Sequence, residues 1–120
     1  MAPEIAVGYR SLSWHHWALA NMGMSPRENL KKAYGLAQKA ISLDESDALS
    51  HTVLGSVYSM MRQHDKAIAE GKRSIELDPN GAMVHGLLGQ TLIYAGRPDE
   101  AIEHTKKGIR LNPSPDYWLL

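Results

Sequence analysis

The residues best equipped for chemistry in this chain sit together. Ser11–Ala20 reads SLSWHHWALA, with His15 and His16 set between Trp14 and Trp17. Imidazoles bind metals and shuttle protons, and indoles anchor protein partners. The spacing speaks against a metal. Neighbours on a helix diverge by about 100°, so adjacent histidines cannot aim at one ion. Neither has a His, Asp or Glu four residues away. His51 and His85 stand in matching contexts and are expected to be structural, while His64 and His104 are expected on exposed helix surface. The chain has no cysteine, which excludes disulfides, thiolate metal sites and a cysteine nucleophile. It contains neither a Gly-x-Ser-x-Gly elbow nor a Walker loop. Gly86-Leu-Leu-Gly89 reads as helical packing, and Asp99, Glu100 and Glu103 as a solvated first turn that suits the helix dipole. No enzyme, metal or cofactor is expected.

Bulk properties narrow the class further. Apolar residues make up 43% of 120 residues, enough for one domain with a modest core. The net charge is zero, and a nucleic-acid binder usually carries a basic excess. No apolar run approaches the roughly 20 residues that cross a bilayer. The N-terminus lacks a signal-peptide pattern. The expectation is a cytoplasmic protein, or a cytoplasmic piece of a larger one, without nucleic-acid or membrane partners.

The chain also repeats itself. Shifted by 34, residues 48–81 match 82–115 at eleven positions, from Ala48/Ala82, His51/His85, Leu54/Leu88 and Gly55/Gly89 to Pro79/Pro113. Such a period marks a stacked structural unit. His51, Leu54, Gly55 and Tyr58 fall on one helical face. A break follows near Arg62–Asp65, and a second helix runs through Ala67, Ile68, Ile75 and Leu77 until Asp78-Pro79-Asn80-Gly81 stops it. Asn80 is placed to cap the next helix. Small residues recur where two axes must come close: Gly55 with Ala67 and Ser74, then Gly89 with Ala101 and Gly108. Large ones recur between them.

A 34-residue helix–turn–helix unit with Leu54-Gly55, Tyr58, Ala67 and Pro79, then Leu88-Gly89, Ala101 and Pro113, resembles the tetratricopeptide repeat. The third unit departs at Leu92, where that family favours Tyr. The resemblance implies an all-α fold, a right-handed superhelix of antiparallel helix pairs forming an α-solenoid. It implies about three repeats plus the start of a C-terminal helix, within one domain over 1–120. Repeat 1 runs from about 6 to 47, repeat 2 over 48–81 and repeat 3 over 82–115, with 116–120 as a partial capping helix.

The second helix of repeat 1 is marked by Ser25-Pro26-Arg27-Glu28, which reads as an N-cap Ser, a first-turn Pro and a capping-box Glu. Its first helix has two placements. Without gaps, Trp17 takes the first aromatic slot and Ala20-Asn21 replace Leu-Gly. With Pro3 as terminator, Tyr9 takes that slot, Leu12-Ser13 replace Leu-Gly and His16 takes the Tyr slot. The second fits more slots and is preferred. It lengthens the first helix to roughly Glu4–Met22 and puts Leu12 and His16 on the buried face. This layout is also similar to repeat arrays that follow class III nucleotide cyclase domains and those of winged-helix regulators, which implies a segment of a larger signalling protein.

The resemblance further implies a concave groove that holds a protein or peptide. The candidate groove residues are Arg10, Trp14, Trp17, Thr52, Ser56, Ser59, Met60, Met83, Gln90 and Tyr94. For the two tryptophans, core packing and a groove or subunit contact remain equally weighted. The places that hold basic residues in carboxylate-binding relatives carry Arg10, Trp14, Val53, Met83 and Leu87. Only Arg10 suits a carboxylate, so an extended or helical segment held by apolar contacts is expected. The competing function is a self-association or spacer module, with a homodimer formed through a terminal face and Tyr117, Trp118, Leu119 and Leu120 as its residues.

Overall fold

Short turns, three of them carrying a proline or glycine, divide the described residues into six helices. In the computed structural model, which describes residues 3–112, these are α1 (Pro3–Asn21), α2 (Pro26–Leu43), α3 (Ala48–Met60), α4 (His64–Leu77), α5 (Ala82–Tyr94) and α6 (Pro98–Leu111). Pro3, Pro26 and Pro98 occupy first-turn positions, where a missing N–H removes no intrahelical bond. No strand occurs among the described residues. Consecutive helices pack as three pairs, α1 with α2, α3 with α4 and α5 with α6. Across pairs, α3 touches both α1 and α5, while α2 packs on α3 and α4 on α5. The fold is an all-α solenoid, with the first helix of each pair aligned on one face. Tyr117–Leu120, the candidate self-association residues, lie outside the described residues.

The close approaches fall where small residues recur. A Cβ at Gly55 would sit 3.2 Å from the Ala67 carbonyl oxygen, and one at Gly89 would sit 3.2 Å from that of Ala101. In the first pair the corresponding place holds Ser13. It is fully buried, and its hydroxyl donates to the Ala33 carbonyl at 2.6 Å. The other small position works by two chemistries. Ser74 donates to the Ala48 carbonyl at 3.0 Å, whereas Gly108 leaves room for the Ala82 carbonyl, 3.1 Å from where its Cβ would be.

Apolar residues lock one pair to the next. Ile68 of α4 packs with Leu88 and Leu92 of α5 and with Ala101. Ala37 of α2 packs with Val53 and Leu54 of α3, with Trp14, Tyr34 and Tyr58 against them. Tyr34 and Tyr58 meet edge to face at 5.8 Å. Burial, followed by the hydrogen bond with Tyr34, pushes the Tyr58 hydroxyl up to about 12. Arg10 of α1 donates to both carboxylate oxygens of Asp47, at 2.8 and 2.7 Å, and so ties the first pair to the start of the second.

Several local expectations need correction. Leu12 is 50% exposed, whereas Leu54 and Leu88 are buried. Those two are covered by the second helix of the preceding pair, and α1 has no pair before it among the described residues. Ser25 stands at the N-cap of α2 but makes no side-chain capping bond, because its backbone is left-handed (φ 42°). Asn29 fastens that loop instead, donating to the Met24 carbonyl at 2.7 Å while its Oδ1 accepts from His16 Nδ1 at 2.8 Å. The N-cap of α5 is Gly81, not Asn80, and no side chain caps it. His64 and His104 are half-buried, not exposed: His64 is held at the α3–α4 turn, and His104 stacks on His85.

The α3–α4 turn carries backbone strain. Arg62 adopts φ 61°, where the equivalent residue of the third pair is Gly96 at φ 76°. A side chain in this region costs about 1 kcal/mol. Arg62→Gly is therefore expected to stabilise the chain by about 0.5–1 kcal/mol, read as a higher urea midpoint with an unchanged slope.

Candidate binding groove

The aligned face of α1, α3 and α5 contains two hollows. The larger, of about 470 Å³, is lined by Trp17 and Asn21 of α1, Ser56, Ser59 and Met60 of α3, Arg62 of the following turn, His64 at the start of α4, and Gln90, Thr91 and Tyr94 of α5. The smaller, of about 240 Å³, is lined by Arg10, Ser11 and Trp14, by Leu49, Thr52 and Val53, and by Met83 and Leu87. Each of the ten candidate groove residues borders one of them. They divide into two groups: Trp17, Ser56, Ser59, Met60, Gln90 and Tyr94 border the larger hollow, and Arg10, Trp14, Thr52 and Met83 the smaller.

The tryptophans serve as core and groove wall together. Their rings stack at 5.0 Å with planes 22° apart. Trp14 leans on the Ala37–Val53–Leu54 cluster. Trp17 reaches across to α3, where its indole N–H donates to the Ser56 carbonyl at 3.2 Å. That bond anchors a large flat side chain whose other surface stays open to the hollow. Thr52, by contrast, is buried, and its hydroxyl is taken up by helix packing, 2.9 Å from Ser74 Oγ and 3.1 Å from the Ala48 carbonyl oxygen. Met83 and Tyr94 are more than half exposed.

Sequence reasoning missed Arg62, His64, Asn21 and Thr91 in the larger hollow. Arg62 stands in the turn and His64 at the first position of α4, both within a stretch that reads only as a helix break, so periodicity assigns them no face. A signal for Arg62 did exist: it is the arginine that replaces Gly96 between repeats. Among the described residues no aspartate or glutamate lines the larger hollow, and Arg62 is the one permanent cation that does. Ser59 Oγ and His64 Nδ1, both at its edge, are enclosed without a hydrogen-bond partner among the described residues.

Among the described residues that line the two hollows, no serine or threonine hydroxyl is hydrogen-bonded to a histidine or carboxylate. Among the described residues no three His, Asp or Glu side chains converge as metal ligands. No helix among them is long and apolar enough to cross a membrane.

The tetratricopeptide repeat model matches residues 48–80 and again residues 82–115, which are the second and third pairs. The chain belongs to the tetratricopeptide repeat family. That fold is a scaffold for protein interactions, generally without catalysis. Solved structures agree with the assignment. TTC0263, a tetratricopeptide repeat protein of Thermus thermophilus, is 26% identical with a TM-score of 0.81, over 95% of this chain and 59% of that one. The structure of MamA is 26% identical with a TM-score of 0.63, over 88% of this chain and 61% of that one. A MamA structure from MSR-1, at 20% identity and a TM-score of 0.68, covers 93% of this chain and 58% of that one and shares the fold. This tetratricopeptide repeat chain thus spans about three fifths of the length of these structures. No curated protein matches it by sequence.

Proposed function

We propose that this tetratricopeptide repeat chain is a non-catalytic scaffold that holds a peptide or protein segment along the face of α1, α3 and α5. One observation carries the reading. Two adjoining hollows on that face share a stacked Trp14–Trp17 wall, and exposed Met83 and Tyr94 border them. Aromatic and methionine side chains exposed in a concavity are the types that dominate binding hot spots. The rest of the lining mixes neutral polar side chains such as Asn21, Ser56 and Gln90 with apolar ones such as Leu49, Val53 and Leu87, which suits a bound backbone with apolar side chains.

Selection of a random peptide library on the folded chain tests this. The selected peptides should lose about tenfold in affinity to Tyr94→Ala, which removes an exposed ring and leaves the core alone. Peptides bound equally well by this variant would contradict the reading.

Self-association is a second reading, favoured by α6. Ile68 of α4 is covered by α5, but Ile102, its counterpart on α6, is 50% exposed and Ile109 is 39% exposed. An exposed apolar helix face is a place where another copy can stack. Sedimentation showing a monomer at every concentration would exclude it.

A further inference from the structure

Equivalent histidines of the second and third pairs have opposite chemistry. His51 Nε2 lies 2.9 Å from the Glu45 carbonyl oxygen, and its Nδ1 lies 2.7 Å from a Glu70 carboxylate oxygen. Both partners only accept, so both ring nitrogens donate and the paired His51 is an imidazolium. His85 repeats half of this: its Nε2 lies 2.8 Å from the Pro79 carbonyl oxygen, which is 34 residues after Glu45. The place of Glu70, however, is taken by His104, whose Nδ1 stands 3.4 Å from His85 Nδ1. The two rings stack at 5.6 Å, with planes 20° apart.

The carbonyl fixes the protons. His85 Nε2 donates to Pro79, so in the neutral pair His85 Nδ1 accepts and His104 Nδ1 donates. One added proton enters at His104 Nε2, and the bond then keeps its proton on His104 Nδ1 or passes it to His85 Nδ1. Either way a cation sits on a ring withdrawn from water, fully for His85 at 1% exposed and partly for His104, and among the described residues no carboxylate is hydrogen-bonded to either ring. A second proton sets N–H against N–H and charge against charge. Around His104 stand His85 from α5, Lys72 from α4, and Glu100 and Lys107 from α6. The carboxylate of Glu100 already accepts from Arg97 at 2.8 Å.

We propose that the His85–His104 stack is an acid-sensitive latch that holds α5 on α6 while its rings are neutral and releases α5 when they take up protons. Because α5 carries Met83, Gln90 and Tyr94, release also unseats one wall of the groove. That consequence rests on the groove reading, whereas the latch itself does not. The directions of titration agree with the geometry. Burial, followed by the charge of His85, holds His104 below the usual histidine value. The hydrogen bond with Glu70 holds His51 above it. By linkage, the third pair keeps its full contribution above the ordinary histidine range and loses it as pH falls through the lowered value of His104. His51 contributes fully below that range and loses its contribution as pH rises through its raised value. Acid therefore loosens the third pair while it secures the second.

Amide hydrogen exchange of the full chain at about pH 7.5 and about pH 5, corrected for intrinsic rates, tests the latch. Protection in α5 and α6 should fall severalfold at the lower pH, while α3 and α4 keep theirs. His104→Glu gives the third pair the partner of the second and should reverse the sign, and His104→Gln should flatten the response. Ring titration of the unaltered chain should place His104 below His51. Uniform loss across all pairs, an unchanged acid response in both variants, or the reverse order of ring titration would overturn the latch. If α5 opens while a selected groove peptide stays bound, the latch stands and the groove reading falls.

Discussion

Gly89→Leu unfolds the third helix pair well below the temperature at which the unaltered chain melts. A Cβ at this position would stand 2.5 Å from Thr105 Oγ1 and 3.2 Å from the Ala101 carbonyl oxygen. The Thr105 hydroxyl can rotate away, but the Ala101 oxygen belongs to the α6 backbone and cannot yield to a leucine side chain without moving α6. Overpacking of this kind costs about 3 kcal/mol. Native domains have only about 5–15 kcal/mol in total, and a solenoid's stability is distributed pair by pair. The expected fall in melting temperature is therefore about 10 °C or more, with the earliest loss of hydrogen-exchange protection in α5 and α6. Gly86→Ala is the matched control. Nothing lies within 4 Å of a Cβ there, and replacing a mid-helix glycine should stabilise α5 by about 0.5–1 kcal/mol. Equal effects from the two substitutions would refute the account of close helix approach.

Trp17→Ala should remove peptide capture while leaving the chain folded. The substitution takes away the ring stacked on Trp14, the bond to the Ser56 carbonyl and the flat wall of the larger hollow. Truncating an aromatic hot spot costs about 2 kcal/mol or more, about a 30-fold loss of affinity. The folding cost should be smaller, because Trp17 is only half-buried and the main inter-pair cluster uses Trp14. Trp17→Phe separates the roles. It keeps a ring in the wall but loses the N–H donor, so it should retain more binding than the alanine variant. Isothermal titration with a selected peptide, beside a thermal melt of each variant, reads both quantities.

The architecture was legible because repetition made it redundant. Gly55 and Gly89 declare the same close approach twice, and the structure meets it with the carbonyls of Ala67 and Ala101. The first pair was harder, since it lacks the Leu-Gly signal. Ser13 fills the small slot with a hydroxyl that has its own acceptor, and Leu12 lies open because burial depends on a preceding neighbour rather than on residue type. Among candidate groove residues, those on regular helices could be placed from periodicity. Arg62 in its turn and His64 at the first position of α4 could not, because neither has a face until the dihedrals of that turn are known. The weighting of Trp14 and Trp17 between core and groove had no sequence answer either. One indole can bury an edge and show a face, and only coordinates reveal the division. Likewise, the matched positions of His51 and His85 were visible, but the change from Glu70 to His104 mattered only once each was seen 19 residues away across its pair.

The central claim is that one face, formed by α1, α3 and α5, holds the partner. Backbone chemical-shift mapping of the chain titrated with a library-selected peptide tests it most directly. The account predicts shifts confined to residues around Trp14, Trp17, Met60, Met83, Gln90 and Tyr94. Shifts centred instead on α2, α4 or α6, with the tryptophan indole signals unmoved, would contradict it.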